Sequence, residues 1–350
     1  MPRDVTGGHV RNLFTLRQLE NGIGREIVRP FVTALFDDIV AQMTRLDPTE
    51  LARRSDRVRR LERMLDEISD LMGPQFTAVA RELRKELALI GRQQAGFAAK
   101  QLQRAVGPSI DVGMGAAAGL ALHKAVLDTD PIQGRHLKTW IKDLGDSTKR
   151  NLTQQIRIGF AENETIDQMV RRVRGRSAGK GRFTGGVMQT TTRHATAIVR
   201  TSVNHIANAG HMAVYEENAD AIKFYEYSAT LDSRTSNICI SLDGRRWTDL
   251  ESVRRPPLHV NCRSRIVPHP DFKRLGLDKP MEGTRASASG PVPASTRYPQ
   301  WLRDQPTGTQ NKVLGKAKAE MFRDGKLDLR QLVNRDGRSL TVAQLEAKAK

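Results

Sequence analysis

Between Leu51 and Ile90 the apolar side chains recur at helical spacing. Val58, Leu61, Leu65, Ile68 and Met72 alternate steps of three and four, which lays one apolar seam along a helix packed lengthwise on a partner. Charged residues fill most positions between them, as a solvated face requires. Gly73-Pro74 interrupts the seam, and Phe76, Val79, Leu83, Leu87 and Ile90 resume it. Proline lacks the backbone donor and restricts the residue before it, so the pattern predicts two long helices that fold back or kink here. A coiled-coil contact between copies fits the same seam, but so few apolar positions per helix are met by an intramolecular hairpin. Upstream, after a short irregular start, Phe31, Leu35, Ile39 and Met43 mark a first amphipathic helix ending at Asp47-Pro48.

Helix is expected to predominate to about residue 175. Gly107-Pro108 and the Gly/Ala-rich run Gly113 to Gly119 read as a hinge or close-packed joint. Leu137, Ile141, Leu144, Leu152 and Ile156 mark a long helix with Trp140 buried, and Thr165 to Val173 a short one. Arg174 to Arg182 is glycine-rich and basic, which predicts a mobile loop touching phosphate nonspecifically. It is not a nucleotide P-loop, because Gly175 to Lys180 is one residue short and Gly181 stands where Ser or Thr holds magnesium. Ala195, Val199, Ser202, Ile206, Ala209 and Ala213 put small residues on one face of a further helix. Ile222 to Thr230 is aromatic and β-branched, and with the apolar runs Ile238–Leu242 and Arg265–Val267 it predicts a small sheet. Lys279 to Pro299 is rich in Pro, Gly and Ser and reads as a linker. Beyond it, helices are expected around Asn311–Phe322 and from Thr341.

The fold class is therefore α+β, predominantly helical: a long N-terminal helical hairpin, a compact α+β core with a small antiparallel sheet, a flexible linker and a small C-terminal module. Lysine and arginine number 57 against 39 acidic residues, a net charge of +18, which draws a chain toward polyanions without specifying a mechanism. Arg171, Arg172, Arg174, Arg176, Lys180 and Arg182 are the expected contacts to a DNA backbone. No apolar run reaches the roughly 20 residues of a bilayer span, so a soluble protein made in the cytoplasm is expected, with no membrane partner. Two cysteines exclude a disulfide framework.

The most informative stretch runs from Ala229-Thr230-Leu231-Asp232-Ser233-Arg234-Thr235-Ser236-Asn237-Ile238-Cys239 through Leu242-Asp243-Gly244 to Pro256-Pro257-Leu258-His259-Val260-Asn261-Cys262-Arg263-Ser264. Asp232-Ser233 can turn the chain by bonding nearby backbone donors. Arg234 offers a planar fork for a carboxylate or carbonyl. Leu242-Asp243-Gly244 is a turn of the hairpin kind, and Pro256-Pro257 stiffens a return that lays His259 and Cys262 back against Cys239. With Arg200-Thr201-Ser202 and the alanine-rich helix after it, roughly residues 130–270 resemble the phage Mu F-like head morphogenesis family of tailed bacteriophages. Tyr298-Pro299-Gln300-Trp301-Leu302, Val313 to Lys316 and Gly325-Lys326-Leu327 resemble the C-terminal segment of many such proteins.

The resemblance implies a minor capsid protein of the virion, at the head interior or portal vertex, with portal, major capsid or scaffold protein and double-stranded DNA as partners. Its implied roles are head assembly, DNA packaging and DNA ejection. Together with the periodicity and composition read above, it divides the chain into a helical docking region (1–110), a head morphogenesis domain (111–275), a flexible linker (276–297) and a C-terminal helical module (298–350). The motif residues it carries over are Asp232, Ser233, Arg234, Thr235, Cys239, Asp243, Gly244, Pro257, His259, Asn261, Cys262 and Arg263, in a structural role, with no catalytic residue and no required cofactor. Cys239, His259 and Cys262, with Asp232 as a fourth, fit a tetrahedral zinc site; buried thiols beside a hydrogen-bonded histidine fit the same residues. Family members often carry a cysteine where this chain has Ser264, which weakens the metal reading. The alternative function is a metal-dependent nuclease using His259 with His269 and Asp271. An ADP-ribosyltransferase reading fails because Glu162-Asn163-Glu164 precedes Arg200-Thr201-Ser202.

Overall fold

The computed structural model describes residues 5–113, 135–179, 183–278 and 283–349. Most of the Gly113–Gly119 joint, together with Lys180 and Arg182, lies outside them. The fold is α+β and predominantly helical, with small antiparallel sheets. Two compact units divide it: Gln18–Leu87 with Leu127–Ser202, and Met1–Arg17 with Ala88–Val126 and Val203–Lys350.

Helix starts earlier than the sequence suggested. α1 (Val5–Ile23) passes through a π-helical turn at Gly24–Val28 into α2 (Arg29–Arg45), which buries Val32, Leu35, Phe36, Ile39 and Met43. Asp47 Oδ1 accepts from the Thr49 N–H and hydroxyl, each at 2.7 Å, and Pro48 cannot extend the helix. The chain therefore reverses at 46–53. α3 (Arg54–Val106) then runs back antiparallel, with Gln75 donating to Asp38 (2.6 Å) and the Phe76 ring 5.0 Å from that of Phe31.

The expected break at Gly73-Pro74 is absent: α3 continues through Pro74. A proline inside a helix costs about 3 kcal/mol, whereas each large apolar side chain buried on the same face returns about 1.5–3 kcal/mol. Met72, Phe76, Leu83 and Leu87 are all buried on that seam, so packing wins over the local penalty. The helical hairpin is real, but its turn is at Asp47-Pro48.

In the same unit, α4 (Leu137–Ala161) turns its Leu137, Ile141, Leu144, Leu152 and Ile156 inward, while Trp140 is only half-buried. α5 (Ile166–Arg174) opens on a capping box in which Thr165 and Gln168 satisfy each other's backbone. The basic loop after it is not wholly free, because β1 (Arg176–Ser177) pairs with β2 (Phe183–Thr184) across its base. α6 (Gly186–Glu217) follows.

In the other unit, the end of α3 and the second half of α6 pack closely. A Cβ on Gly210 would lie 2.8 Å from the Gly91 carbonyl oxygen, so only glycine permits the approach. The Asn12 and Gln94 amides there exchange hydrogen bonds at 2.7 and 3.0 Å, and Gln94 also meets His211 (3.1 Å). β3 (Ile222–Ser228) is the centre of a sheet between β4 (Arg246–Trp247) and β5 (Arg265–Pro270), antiparallel to both.

Ile238–Leu242, read as extended, instead lies in a short helix, α7 (Asn237–Leu242). It serves two cores at once. Cys239 and Leu242, three apart, face the sheet core with Tyr225, Tyr227 and Ile266, while Ile240 joins Leu231 in a second core. Alternation on a strand could not divide these three residues that way.

The linker expected at 276–297 is largely ordered. β6 (Thr284–Ser287) and β7 (Gly290–Pro293) form a hairpin, and Leu231 bonds to its edge through Ala288 N (2.8 Å). The C-terminal helices α8 (Tyr298–Arg303), α9 (Thr307–Leu314), α10 (Lys316–Arg323) and α11 (Val342–Ala349) follow. The single helix expected over Asn311–Phe322 is divided at Gly315, whose φ of 80° lies in the left-handed region. Tyr298, Trp301, Leu302 and Phe322 bury Leu231 and Ile240, so this module is part of the second core and not a tethered appendage.

Candidate functional site

Residues 248–264, between β4 and β5, carry neither helix nor strand, yet they bring two ligand-type side chains onto α7. The Cys239 Sγ lies 3.7 Å from the Cys262 Sγ and 3.1 Å from His259 Nε2. All three ligand atoms fall within 4.8 Å of one another. Both thiols are buried, and the Tyr227 hydroxyl meets Cys239 at 3.2 Å. His259 Nδ1 donates to the Val260 carbonyl (2.9 Å), which leaves Nε2 as the atom facing the thiols.

The pair of thiols shares protons unequally. The hydrogen bond from Cys239 holds the Cys262 thiol down at about 6 against burial, helped by the backbone N–H groups of Ser264 and Leu258. The same contact and burial push Cys239 up to about 12, with His259 opposing. Burial lowers the His259 pKa, but its hydrogen bond with Cys239 outweighs that and raises it.

Asp232 does not join this cluster. Its carboxylate is gripped by the guanidinium of Arg263, with Nη2 at 2.8 Å from Oδ1. It also accepts from the Arg234 N–H (2.9 Å) and the Thr235 hydroxyl (3.2 Å). Arg263, not Arg234, therefore provides the fork; Arg234 is exposed. Burial pushes the Asp232 carboxyl up, but the Arg263 bond and charge bring it below the usual value. A carboxylate with a lowered folded pKa contributes stability above its unfolded pKa and loses it as pH falls through the folded value. The stability difference between wild type and Asp232→Asn is thus expected to be level from neutral pH to about 5 and to shrink below about pH 4. Urea denaturation over a pH series reads this; a difference undiminished at the acid end would refute the pairing.

Asp243 sits deeper. Its φ of −58° and ψ of 125°, the Gly244 φ of 76° and the Arg245 N to Leu242 O bond (2.9 Å) make a type II turn. The turn joins a helix to β4 and is not the two-strand hairpin expected. The Asp243 carboxylate accepts from Ala229 N (2.9 Å), Tyr298 N (2.8 Å) and Arg285 (2.7 Å). Glu226 is likewise held by Arg246 (2.8 Å) and by both terminal nitrogens of Arg297 (2.6 and 2.9 Å). Arg297 lies so near Gly244 that a Cβ there would meet its Cδ at 2.7 Å.

Sequence reading missed Glu226, Tyr227, Arg285 and Arg297, and it named Tyr298 only within the C-terminal segment, not as a partner of Asp243. The arginines sit in or beside a stretch whose composition reads as linker; the available signal was Ser289-Gly290, a turn pair between β6 and β7. The other motif residues have local roles. Pro257 is buried beside Pro256, and Asn261 adopts φ 59°, a conformation asparagine tolerates. His269 stacks on Phe224 with centroids 4.4 Å apart and lies 3.8 Å from Glu226, and Asp271 accepts from Arg274 N. Neither belongs to the thiol and histidine cluster.

Of the arginines assigned to DNA, Arg172 is bound to Glu162 and Glu164. Arg174 pairs with Asp37 and lies over the Phe183 ring. These two arginines thus share their charge with acidic neighbours of the same unit. Arg171 and Arg176 are exposed.

The architecture is that of a predominantly helical α+β protein whose motif carboxylates are engaged by arginines and backbone N–H groups of the same fold. Residues 146–267 match the family described as Phage Mu protein F like protein, which supports the resemblance to phage head morphogenesis proteins over that stretch. The matched stretch ends within β5, before Arg285, Arg297 and Tyr298. No curated protein and no solved structure matches the chain. No helix among the described residues is long and apolar enough to cross a membrane.

Proposed function

We propose that the chain is a minor head protein of a tailed bacteriophage, acting in assembly at the portal vertex and not as an enzyme. The observation that carries this is the family match over residues 146–267. Asp232, Asp243 and Arg263 support it, because each is committed to an internal pair, as architecture demands and a reacting group does not. In this reading the helical N-terminal region docks on portal, capsid or scaffold subunits. The net charge of +18 holds the protein beside packaged DNA through phosphate contacts, without base readout. Arg171 and Arg176, both exposed, are the contacts this reading assigns, with Lys180 and Arg182 alongside them in sequence.

Co-purification from cells making the phage portal and major capsid proteins tests the reading. Stoichiometric recovery with either is expected, as is duplex DNA binding that weakens steeply with salt. Substituting Arg171 and Arg176 with glutamine is expected to lower that binding and its salt slope without loss of stability. Recovery of neither partner, together with metal-dependent cleavage of added DNA, would overturn it in favour of a nuclease.

A further inference from the structure

We infer that Cys239, His259 and Cys262 form a zinc site, with three protein ligands and a solvent molecule in the fourth position, that pins residues 248–264 onto α7. This inference does not depend on the assembly role.

The spacing is the first argument. Two thiolates on one tetrahedral zinc, each at about 2.3 Å, stand about 3.8 Å apart, and the Cys239 and Cys262 sulfurs are 3.7 Å apart. A disulfide would need about 2.05 Å. The histidine supplies the second. Metal-bound imidazoles pass their other ring N–H to an acceptor that fixes tautomer and orientation. Here Nδ1 donates to the Val260 carbonyl, and Nε2 points at Cys239. The third is what the ligands fasten. Residues 248–264 lack helix and strand, and within the His259–Cys262 turn the backbone closes through Cys262 N to His259 O (3.1 Å). A metal compensates for a missing ladder of this kind. The Tyr227 hydroxyl, at 3.2 Å from Cys239, donates to the sulfur from outside the ligand set, as outer-shell groups do.

Zinc is favoured over harder ions by the sulfur ligands. Binding replaces thiol protons by metal and involves no change of oxidation state.

The test uses the full chain, purified under reducing conditions without chelator from zinc-supplemented cells, with metal measured by mass spectrometry. One zinc per chain is expected. EDTA should lower Tm, zinc sulfate should restore it and magnesium should not. Cys262→Ser and His259→Ala are each expected to reduce bound zinc about tenfold or more and to abolish the EDTA effect. Because either variant can misfold, cobalt(II) is also added to the stripped wild-type chain, where thiolate ligation gives intense visible absorption. Wild-type protein that carries no zinc, gives no cobalt thiolate band and is indifferent to zinc sulfate would overturn the site, and so would a native Cys239–Cys262 disulfide.

Discussion

Asp243→Ala is expected to cost about 3–5 kcal/mol of stability, the loss that follows when one partner of a buried ion pair is removed. The carboxylate is fully buried and the Arg285 side chain nearly so, at 0% and 4% exposure. Truncation leaves the guanidinium without its counter-charge and the N–H groups of Ala229 and Tyr298 without their acceptor. The unpaired charge is the larger part, which a second variant isolates. Asp243→Ala combined with Arg285→Met is expected to be more stable than Asp243→Ala alone, because the double variant buries no orphan ion. Urea denaturation of the three chains measures both differences. A single variant within about 1 kcal/mol of wild type would mean that water replaces the carboxylate freely, contrary to its burial.

A chain ending at Gly283 should fail to hold the remaining fold. Such a chain loses the hairpin and the C-terminal helices together, exposing Leu231 and Ile240, which are 0% and 2% exposed in the intact protein. It also takes Arg285 from Asp243 and Arg297 from Glu226. Aggregation or loss of a cooperative transition is expected, and in the intact chain residues 284–293 should resist limited proteolysis. Were this stretch a flexible tether, the shortened protein would melt within a few degrees of the full one and the tether would be cut first.

Long-period signals were legible in the sequence. The apolar seam of α3, apart from Val58, which is 40% exposed, and the inward face of α4 stand where periodicity placed them, since each depends on many residues voting for one face; β3 stands where aromatic and β-branched composition placed it. Failures came where a single residue was weighed alone. Pro74 argued for a break, but burial on both sides of it overrode the local penalty. Ile238–Leu242 was too short for periodicity to separate strand from helix. The hairpin at 284–293 was hidden because composition speaks for disorder only when no polar residue is buried, and Arg285 is buried by a partner 42 residues away. The thiols and His259 were recognisable as ligand-type residues from their identity, whereas the true partner of Asp232 was not, because Arg234 and Arg263 offer the same fork and only the fold chooses between them.

The reach of Asp243 to Tyr298 has a consequence for synthesis. Their contact spans 55 residues, and at about 5–20 residues per second a ribosome needs roughly 3–11 s to make that interval. Over that interval the carboxylate turn lacks first Arg285, made 42 residues after Asp243, and then the Tyr298 N–H, while Glu226 of β3 has only Arg246 of β4 until Arg297 follows. The nascent chain can assemble its upstream helices early, but the sheet region closes last, only after the hairpin and the start of α8 have emerged.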